Sequence, residues 1–145
     1  MDIESKMLLD TNIFVYAEDK KNPKIQEIAI NFIDECTSKR IGVVSTQNLA
    51  EYSNVLLTYL KNISAREVNE RINDISLNFE LILYDQKVVM KANEYYEKFG
   101  TDFFDCLLVA TMEENGIDTI VTRNVKHFDK IPWLKIINPF EGKNK

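Results

Sequence analysis

Short apolar runs alternate along this chain with longer segments in which apolar residues recur every three or four positions. The short runs predict strands, and they lie at Met7–Asp10, Ile41–Ser45, Phe79–Tyr84, Thr119–Thr122 and Leu134–Ile137. The longer segments predict amphipathic helices, namely Asn12–Glu18, two that begin at Pro23 and near Thr46, one that follows Ser64, and Gln86–Phe99 and Thr101–Asn115. Strands that alternate with helices are typical of an α/β domain with a mainly parallel sheet. We therefore predict a single domain over residues 1–145, with a central sheet of about five strands flanked by helices.

Three of the helix starts carry local signals. Pro23 suits the first turn of a helix, where no backbone N–H donor is needed. Thr46 can cap the helix that follows the second strand. Ser64 and Glu67 have the spacing of a capping box, in which each side chain bonds the backbone N–H of the other residue. These signals support the predicted order of strands and helices.

The composition narrows the class of protein. Hydrophobic residues make up 45% of the chain and charged residues 28%, which is ordinary for a globular protein. No apolar run approaches the roughly 20 residues that cross a membrane, and the start M-D-I-E-S-K is too acidic for a signal peptide. Cys36 and Cys106 lack metal-binding spacing, so we expect two reduced, packed side chains in a cytoplasmic protein. The formal charge of −5 leaves room for a basic patch or for carboxylates that hold a cation.

Asp10 stands in an unusual position, between two apolar runs and at the end of the first predicted strand. A carboxylate in such surroundings is costly unless it is neutralised or hydrogen-bonded. In an open α/β sheet, ligands bind at the carboxyl ends of the strands, and Thr11 and Asn12 follow Asp10 at that edge. Simple capping of the next helix explains Asp10 about equally well.

Three further acids are candidates for the same edge. Asp105 lies on an apolar helical face with no lysine or arginine nearby in sequence, and buried acids are rarely tolerated without a partner. A divalent cation such as Mg²⁺ or Mn²⁺ would be a suitable partner, since both prefer carboxylate oxygens. Glu51 lies at the border of its helix's apolar stripe, where a solvated glutamate is the commoner explanation. Asp102 lies one turn before Asp105, where helix capping is the commoner explanation.

The loop after the fourth predicted strand is polar and locally basic. If the sheet is parallel, this loop emerges at the edge where the first strand ends. Thr122 and Asn124 could then bond the acids or a phosphate oxygen, while Arg123 and Lys126 add positive charge. A solvated surface loop accounts for each of these side chains about as well. His127 is the one histidine of the chain, and the sequence has neither a G-x-S-x-G motif nor a glycine-rich phosphate loop.

Three blocks of the sequence together resemble PIN-domain ribonucleases, in particular the VapC-type toxins of bacterial and archaeal toxin–antitoxin pairs. The blocks are L-L-D-T-N, N-L-A-E-Y-S-N-V-L and F-F-D-C-L-L-V-A-T-M-E-E-N-G-I-D-T-I-V-T-R-N-V-K-H-F, and they extend from about Met7 to Phe128. By this resemblance Asp10, Glu51 and Asp105 match the acids that hold the metal in the family. The family often has a fourth acid where this chain has Asn124, and Asp102 could supply the missing charge.

The resemblance implies a PIN-like domain that acts as a Mg²⁺- or Mn²⁺-dependent endoribonuclease on RNA, as the toxin of a type II toxin–antitoxin pair. It also implies an antitoxin partner and a homodimer, and several helical aromatic residues suggest spare apolar surface: Tyr52, Tyr59, Tyr95, Tyr96 and Phe99. The alternatives are an RNA-processing nuclease that is not a toxin and a catalytically weakened PIN-like binding domain. An aspartyl-phosphate phosphotransfer domain would also place an aspartate after the first strand.

Overall fold

A parallel five-stranded sheet forms the centre of the protein, whose computed structural model describes residues 5–141. The strands are β1 (Met7–Leu9), β2 (Gly42–Ser45), β3 (Glu80–Ile82), β4 (Thr119–Val121) and β5 (Lys135–Ile137). Their spatial order is β3-β2-β1-β4-β5, and every neighbouring pair is parallel. The predicted α/β class and the mainly parallel sheet are therefore confirmed, with β3 shorter than the predicted Phe79–Tyr84.

Helices flank the sheet, six of them α-helical in residues 5–141. They are α1 (Thr11–Tyr16), α2 (Pro23–Lys39), α3 (Thr46–Tyr59), α4 (Ala65–Asn78), α5 (Gln86–Phe99) and α6 (Phe103–Glu114). The predicted capping box of Ser64 with Glu67 is confirmed. The predicted cap of α3 is wrong, because Ser45 and not Thr46 accepts the N–H of Asn48. A short 3₁₀ helix at Val125–His127 was not predicted.

The sheet separates two apolar clusters, so that the domain has three layers. Along β1, Leu8 packs into the cluster under α5 and α6, whereas Leu9 packs into the cluster under α1 to α4. This alternation follows from the pleat, because successive strand residues point to opposite faces. Cys36 and Cys106 are buried and unbridged, as predicted. No helix within residues 5–141 combines the length and the apolar character that crossing a membrane requires.

One expectation about the surface is corrected. Tyr52 and Tyr95 are buried in the two clusters, so they add nothing to an apolar surface. Tyr59 and Tyr96 are exposed, and Phe99 packs partly against the core. Helical periodicity had placed all of them on helices but could not separate the core-facing positions from the outward ones.

Candidate active site

The central neighbours β1 and β4 bring Asp10 and Thr122 together. Leu9 pairs with Val121, and the backbone N–H of Asp10 donates to the Val121 carbonyl at 2.9 Å. The Thr122 hydroxyl donates to Asp10 Oδ2 at 2.9 Å, and the Thr11 N–H donates to Oδ1 at 2.8 Å. Asp10 therefore caps α1 and also lies at the carboxyl edge of the sheet. The helix cap and the position at the sheet edge, which the sequence offered as alternatives, are both present.

Thr122 Oγ1 is the centre of a small polar network. Besides donating to Asp10, it accepts from Asn12 Nδ2 at 3.2 Å and from the Asn124 backbone N–H at 3.0 Å. A hydroxyl offers one donor and two acceptor sites, so these three bonds satisfy it fully. Asn12 Oδ1 also accepts the Arg123 N–H at 3.5 Å. Of the predicted loop residues, Thr122 bonds Asp10 directly, and Asn124 and Arg123 join the network through their backbone N–H groups, whereas Lys126 takes no part in it.

Thr11 has a different partner from the other predicted residues. Its hydroxyl accepts from Asn48 Nδ2 at 3.1 Å, and both residues are buried. Asn48 also forms the reciprocal cap with Ser45 at the start of α3. The Thr11 side chain therefore joins α1 to α3, and only the backbone N–H of Thr11 bonds Asp10.

Asp105 lies in the first turn of α6 and contacts a residue that the sequence did not pair with it. His127 Nδ1 lies 3.2 Å from Asp105 Oδ2, with the histidine side chain 54% exposed and the aspartate 22% exposed. Asp102 caps the same helix by accepting the Phe104 N–H at 3.0 Å. The position of His127 in the polar loop after β4 was the sequence signal for this contact, although the 3₁₀ turn that aims it carried none.

Glu51 reaches the site from α3 and is held by a glutamine. Gln47 Nε2 donates to Glu51 Oε1 at 3.1 Å and to the Phe104 carbonyl at 2.9 Å, which ties α3 to α6. The two helices border a groove of about 600 Å³ that we name the acidic groove. Its lining includes Glu51, Asp102, Asp105, Gln47, Tyr84 and Phe104.

The carboxylates of this edge disfavour one another's charge. Burial raises the pKa of Asp105 to about 6; the nearby His127 opposes this, and the charges of Asp102, Asp10 and Glu51 add to it. Burial also raises the pKa of Asp10, against the hydrogen bonds from Thr122 and Thr11. For Glu51 burial raises the pKa, the bond from Gln47 lowers it, and the charges of Asp10 and Asp102 raise it again. The ionisation of these acids is therefore linked, and His127 does not fully balance their negative charge.

The donor chemistry of this unit fits a hard divalent cation. Carboxylate oxygens are the ligands that Mg²⁺ and Mn²⁺ prefer, and a cation would relieve the repulsion that raises the pKa values. In their present positions, no three His, Cys, Asp or Glu side chains of residues 5–141 are gathered closely enough to hold a metal ion. The side chains thus fit the ion in type and charge and must approach one another to bind it.

A second groove begins on the other side of His127. This loop groove, of about 760 Å³, is lined by Arg123, Asn124, Lys126, His127, Asp129, Asn138, Phe140 and Glu141 among others. The Arg123 guanidinium lies 5.2 Å from the centre of the Tyr16 ring and 5.4 Å from that of Phe140, within cation–π range. Because Asp129 and Glu141 offset the cations, any affinity for phosphate depends on where Arg123 and Lys126 are held.

Burial of the Asp105 charge, together with repulsion from the other acids, predicts a pH-dependent gain of stability for Asp105→Asn in metal-free protein. The pKa of Asp105 rises from 3.8 to about 6, so the folded wild type binds more protons than the unfolded chain and loses stability as the pH rises from about 4 to about 6. At pH 7.5 the variant should be more stable by on the order of 2 kcal/mol. Urea unfolding in EDTA at pH 4 and 7.5 measures this, and the difference should largely vanish at pH 4.

Asp118→Asn is the matched control, because a hydrogen bond from Thr119 lowers the pKa of Asp118. This variant should gain no stability at pH 7.5. An Asp105→Asn protein that is less stable than wild type at pH 7.5 would contradict the repulsion.

Comparisons with known proteins agree with this geometry. A model of the PIN domain family matches residues 7–134. The ribonuclease VapC24 of Mycobacterium tuberculosis is 25% identical over 140 residues, which cover 90% of this chain and 94% of that protein.

Solved structures share the fold. A DNA-bound VapBC structure from Salmonella typhimurium matches with a TM-score of 0.69 and 18% identity, covering 94% of this chain and 99% of that one. VapBC2 from Rickettsia felis, bound to a promoter DNA fragment, matches with a TM-score of 0.67 and 23% identity over 91% and 97% of the two chains. A toxin–antitoxin complex from Klebsiella pneumoniae matches with a TM-score of 0.68 and 18% identity over 94% and 99%. With its strand order, its acids at the sheet edge and a family match over most of its length, the chain belongs to the PIN domain family.

Proposed function

We propose that this protein is a metal-dependent endoribonuclease that hydrolyses RNA phosphodiester bonds, as the toxin of a type II toxin–antitoxin pair in the cytoplasm. The observation that carries the proposal is that Asp10, Glu51 and Asp105 come from three separate elements to one edge of the sheet, where burial raises the pKa of each and the charge of Asp10 raises the pKa values of Glu51 and Asp105 further. Membership of the PIN domain family and the similarity to ribonuclease VapC24 support the same activity.

Asp10, Glu51 and Asp105 would hold Mg²⁺ or Mn²⁺. Each is oriented by a neighbour: Thr122 fixes Asp10, Gln47 fixes Glu51, and His127 lies against Asp105. When bound, the ion supplies positive charge to the phosphoryl oxygens and makes water a stronger acid. These neighbours keep the carboxylate oxygens aimed at the shared edge, as outer-shell partners of metal ligands do.

The fourth acid of the family has no counterpart in Asn124, which is uncharged. Asp102 is exposed at the start of α6 and contributes to the raised pKa values of Asp105 and Glu51, so it is our candidate for additional charge. The presence of Asn124 in place of the fourth acid favours the second candidate function, a catalytically weakened PIN-like domain that binds RNA without cutting it. The match to the PIN domain gives the phosphotransfer alternative no support.

Two macromolecular partners follow from the proposal. RNA phosphates would bind to the rim formed by Arg123 and Lys126, because the centre of the site is negative. An antitoxin would cover the acidic groove; the similarity to a toxin–antitoxin complex from Klebsiella pneumoniae supports such a partner.

Asp10→Asn and Asp105→Asn should abolish RNA cleavage while the fold is kept. Loss of an outer-shell partner already costs about 10–100-fold, so loss of a metal ligand should lower the rate at least about 100-fold. Cleavage of labelled RNA with Mg²⁺ or Mn²⁺, repeated with EDTA, measures this.

Asp118→Asn is the control, because Asp118 lies before β4 and its charge does not act on these carboxylates; this variant should cut normally. Near wild-type cleavage by either site variant would contradict the assignment, and absence of both cleavage and metal binding in the wild type would favour the binding domain.

Arg123→Ala and Lys126→Ala should weaken RNA binding and make it less sensitive to salt. Each lost phosphate contact on a single strand should flatten the slope of log K against log salt by about 0.7. Metal affinity should change little, whereas Asp105→Asn should weaken metal binding most. Arg66→Ala is the control, since the Arg66 side chain is 90% exposed on α4 and far from the loop groove in sequence. An unchanged slope in both rim variants would place the RNA elsewhere.

We also propose a homodimer, because a two-fold dimer is the commonest oligomer and PIN-like toxins commonly dimerise. The exposed Tyr59 and Tyr96 supply part of the apolar surface that a dimer would cover. Light scattering at tens of micromolar should give twice the chain mass of 16.9 kDa. A monomer mass under those conditions would count against the dimer.

A further inference from the structure

Two aromatic side chains are exposed in the acidic groove. Phe104 is 61% exposed and Tyr84 is 44% exposed, and both line the groove together with Glu51, Asp102 and Asp105. Phe104 directly precedes Asp105 in the chain. Large apolar rings beside a cluster of carboxylates are not required by the core, which packs without them.

The backbone of Phe104 is held from both sides. Its N–H donates to Asp102 Oδ1 at 3.0 Å, and its carbonyl accepts from Gln47 Nε2 at 2.9 Å. The Phe103 ring packs against the Phe104 ring edge to face, with centres 5.4 Å apart. The backbone that carries this ring is therefore fixed and the ring has one packed neighbour, which lowers the entropy that a bound partner must remove.

The charge of the acidic groove selects what can lie there. Glu51, Asp102 and Asp105 line it, and neither lysine nor arginine is among its lining residues in the described part of the chain. A phosphate would be repelled from this wall, whereas a neutral, flat nucleobase would not. The cations Arg123 and Lys126 line the loop groove, on the other side of the His127–Asp105 contact.

We propose that Phe104, assisted by Tyr84, stacks an unpaired nucleobase of the RNA strand beside the scissile phosphate. This inference rests on the proposed ribonuclease function and adds a base-binding residue to it, with the base on the acidic-groove side of Asp105 and phosphates on the loop-groove side. Bases in a duplex are already stacked and do not offer their faces to a protein ring. Every base has a π face, so this contact selects unpaired strands without selecting sequence.

Binding of two oligomers of equal charge tests the proposal. A labelled twelve-residue oligouridylate is compared with an abasic ribose-phosphate oligomer of the same length, by fluorescence anisotropy in an Asp10→Asn background that prevents cleavage. The parent protein should bind oligouridylate roughly tenfold more tightly, within the range known for stacking of a single base. Phe104→Leu should remove most of this preference by weakening only the oligouridylate, and Phe104→Tyr should restore it. Leu77→Ala, which changes an exposed apolar side chain outside both grooves, should keep it.

A full base preference in Phe104→Leu, or equal weakening of both oligomers, would overturn the stacking role. Binding that survives annealing of the oligouridylate to its complement would also overturn it. Cleavage of RNA by wild-type protein distinguishes failure of the stacking role from failure of the ribonuclease proposal. If the wild type cleaves RNA and Phe104→Leu does not change the base preference, the stacking role alone is contradicted. No cleavage by wild type and no binding of either oligomer contradicts the ribonuclease proposal as well.

Discussion

The repulsion among carboxylates at the carboxyl edge of the sheet is the constraint on which the rest of the site depends. Asp10, Glu51 and Asp105 are partly removed from water, the charge of Asp10 makes ionisation of Glu51 and Asp105 harder, and the charge of Glu51 acts on Asp105 in the same way. Such a cluster is unfavourable in a protein selected only for stability. The cluster is therefore consistent with the proposed role, in which a bound cation would balance the negative charge of the acids.

The fold gives each acid its own contacting neighbour within the described residues. Adjacent β1 and β4 bring the Thr122 hydroxyl to Asp10, and the Asn12 side chain occupies that hydroxyl's acceptor side. Gln47 ties Glu51 to the start of α6. Apart from the Gln47–Glu51 bond within α3, these bonds join residues that are far apart in sequence, so the site exists only when both helical layers are packed on the sheet.

Local patterns were sufficient for most of the architecture, because apolar runs and helical stripes are short-range properties of the chain. Asp10 was predictable since a strand end followed by a polar turn marks the ligand edge of a parallel sheet. The His127 contact with Asp105 was not, because the 3₁₀ turn that directs the imidazole leaves no periodic signal. The cap of α3 is Ser45, although the sequence predicted Thr46. Both residues carry a hydroxyl group, and only the backbone geometry at the end of the strand decides which of them caps the helix. Stacking of Arg123 on Phe140 depends on the path of the chain after β5, which no local pattern describes.

The central claim is that a divalent cation occupies the space between these acids. Crystals grown with Mn²⁺ and measured at the manganese absorption edge would locate the ion directly. We expect an anomalous peak contacted by carboxylate oxygens of Asp10 and Asp105, with Glu51 in direct or water-mediated contact. A fully occupied manganese ion elsewhere, or no peak at this edge at millimolar Mn²⁺ and neutral pH, would contradict it.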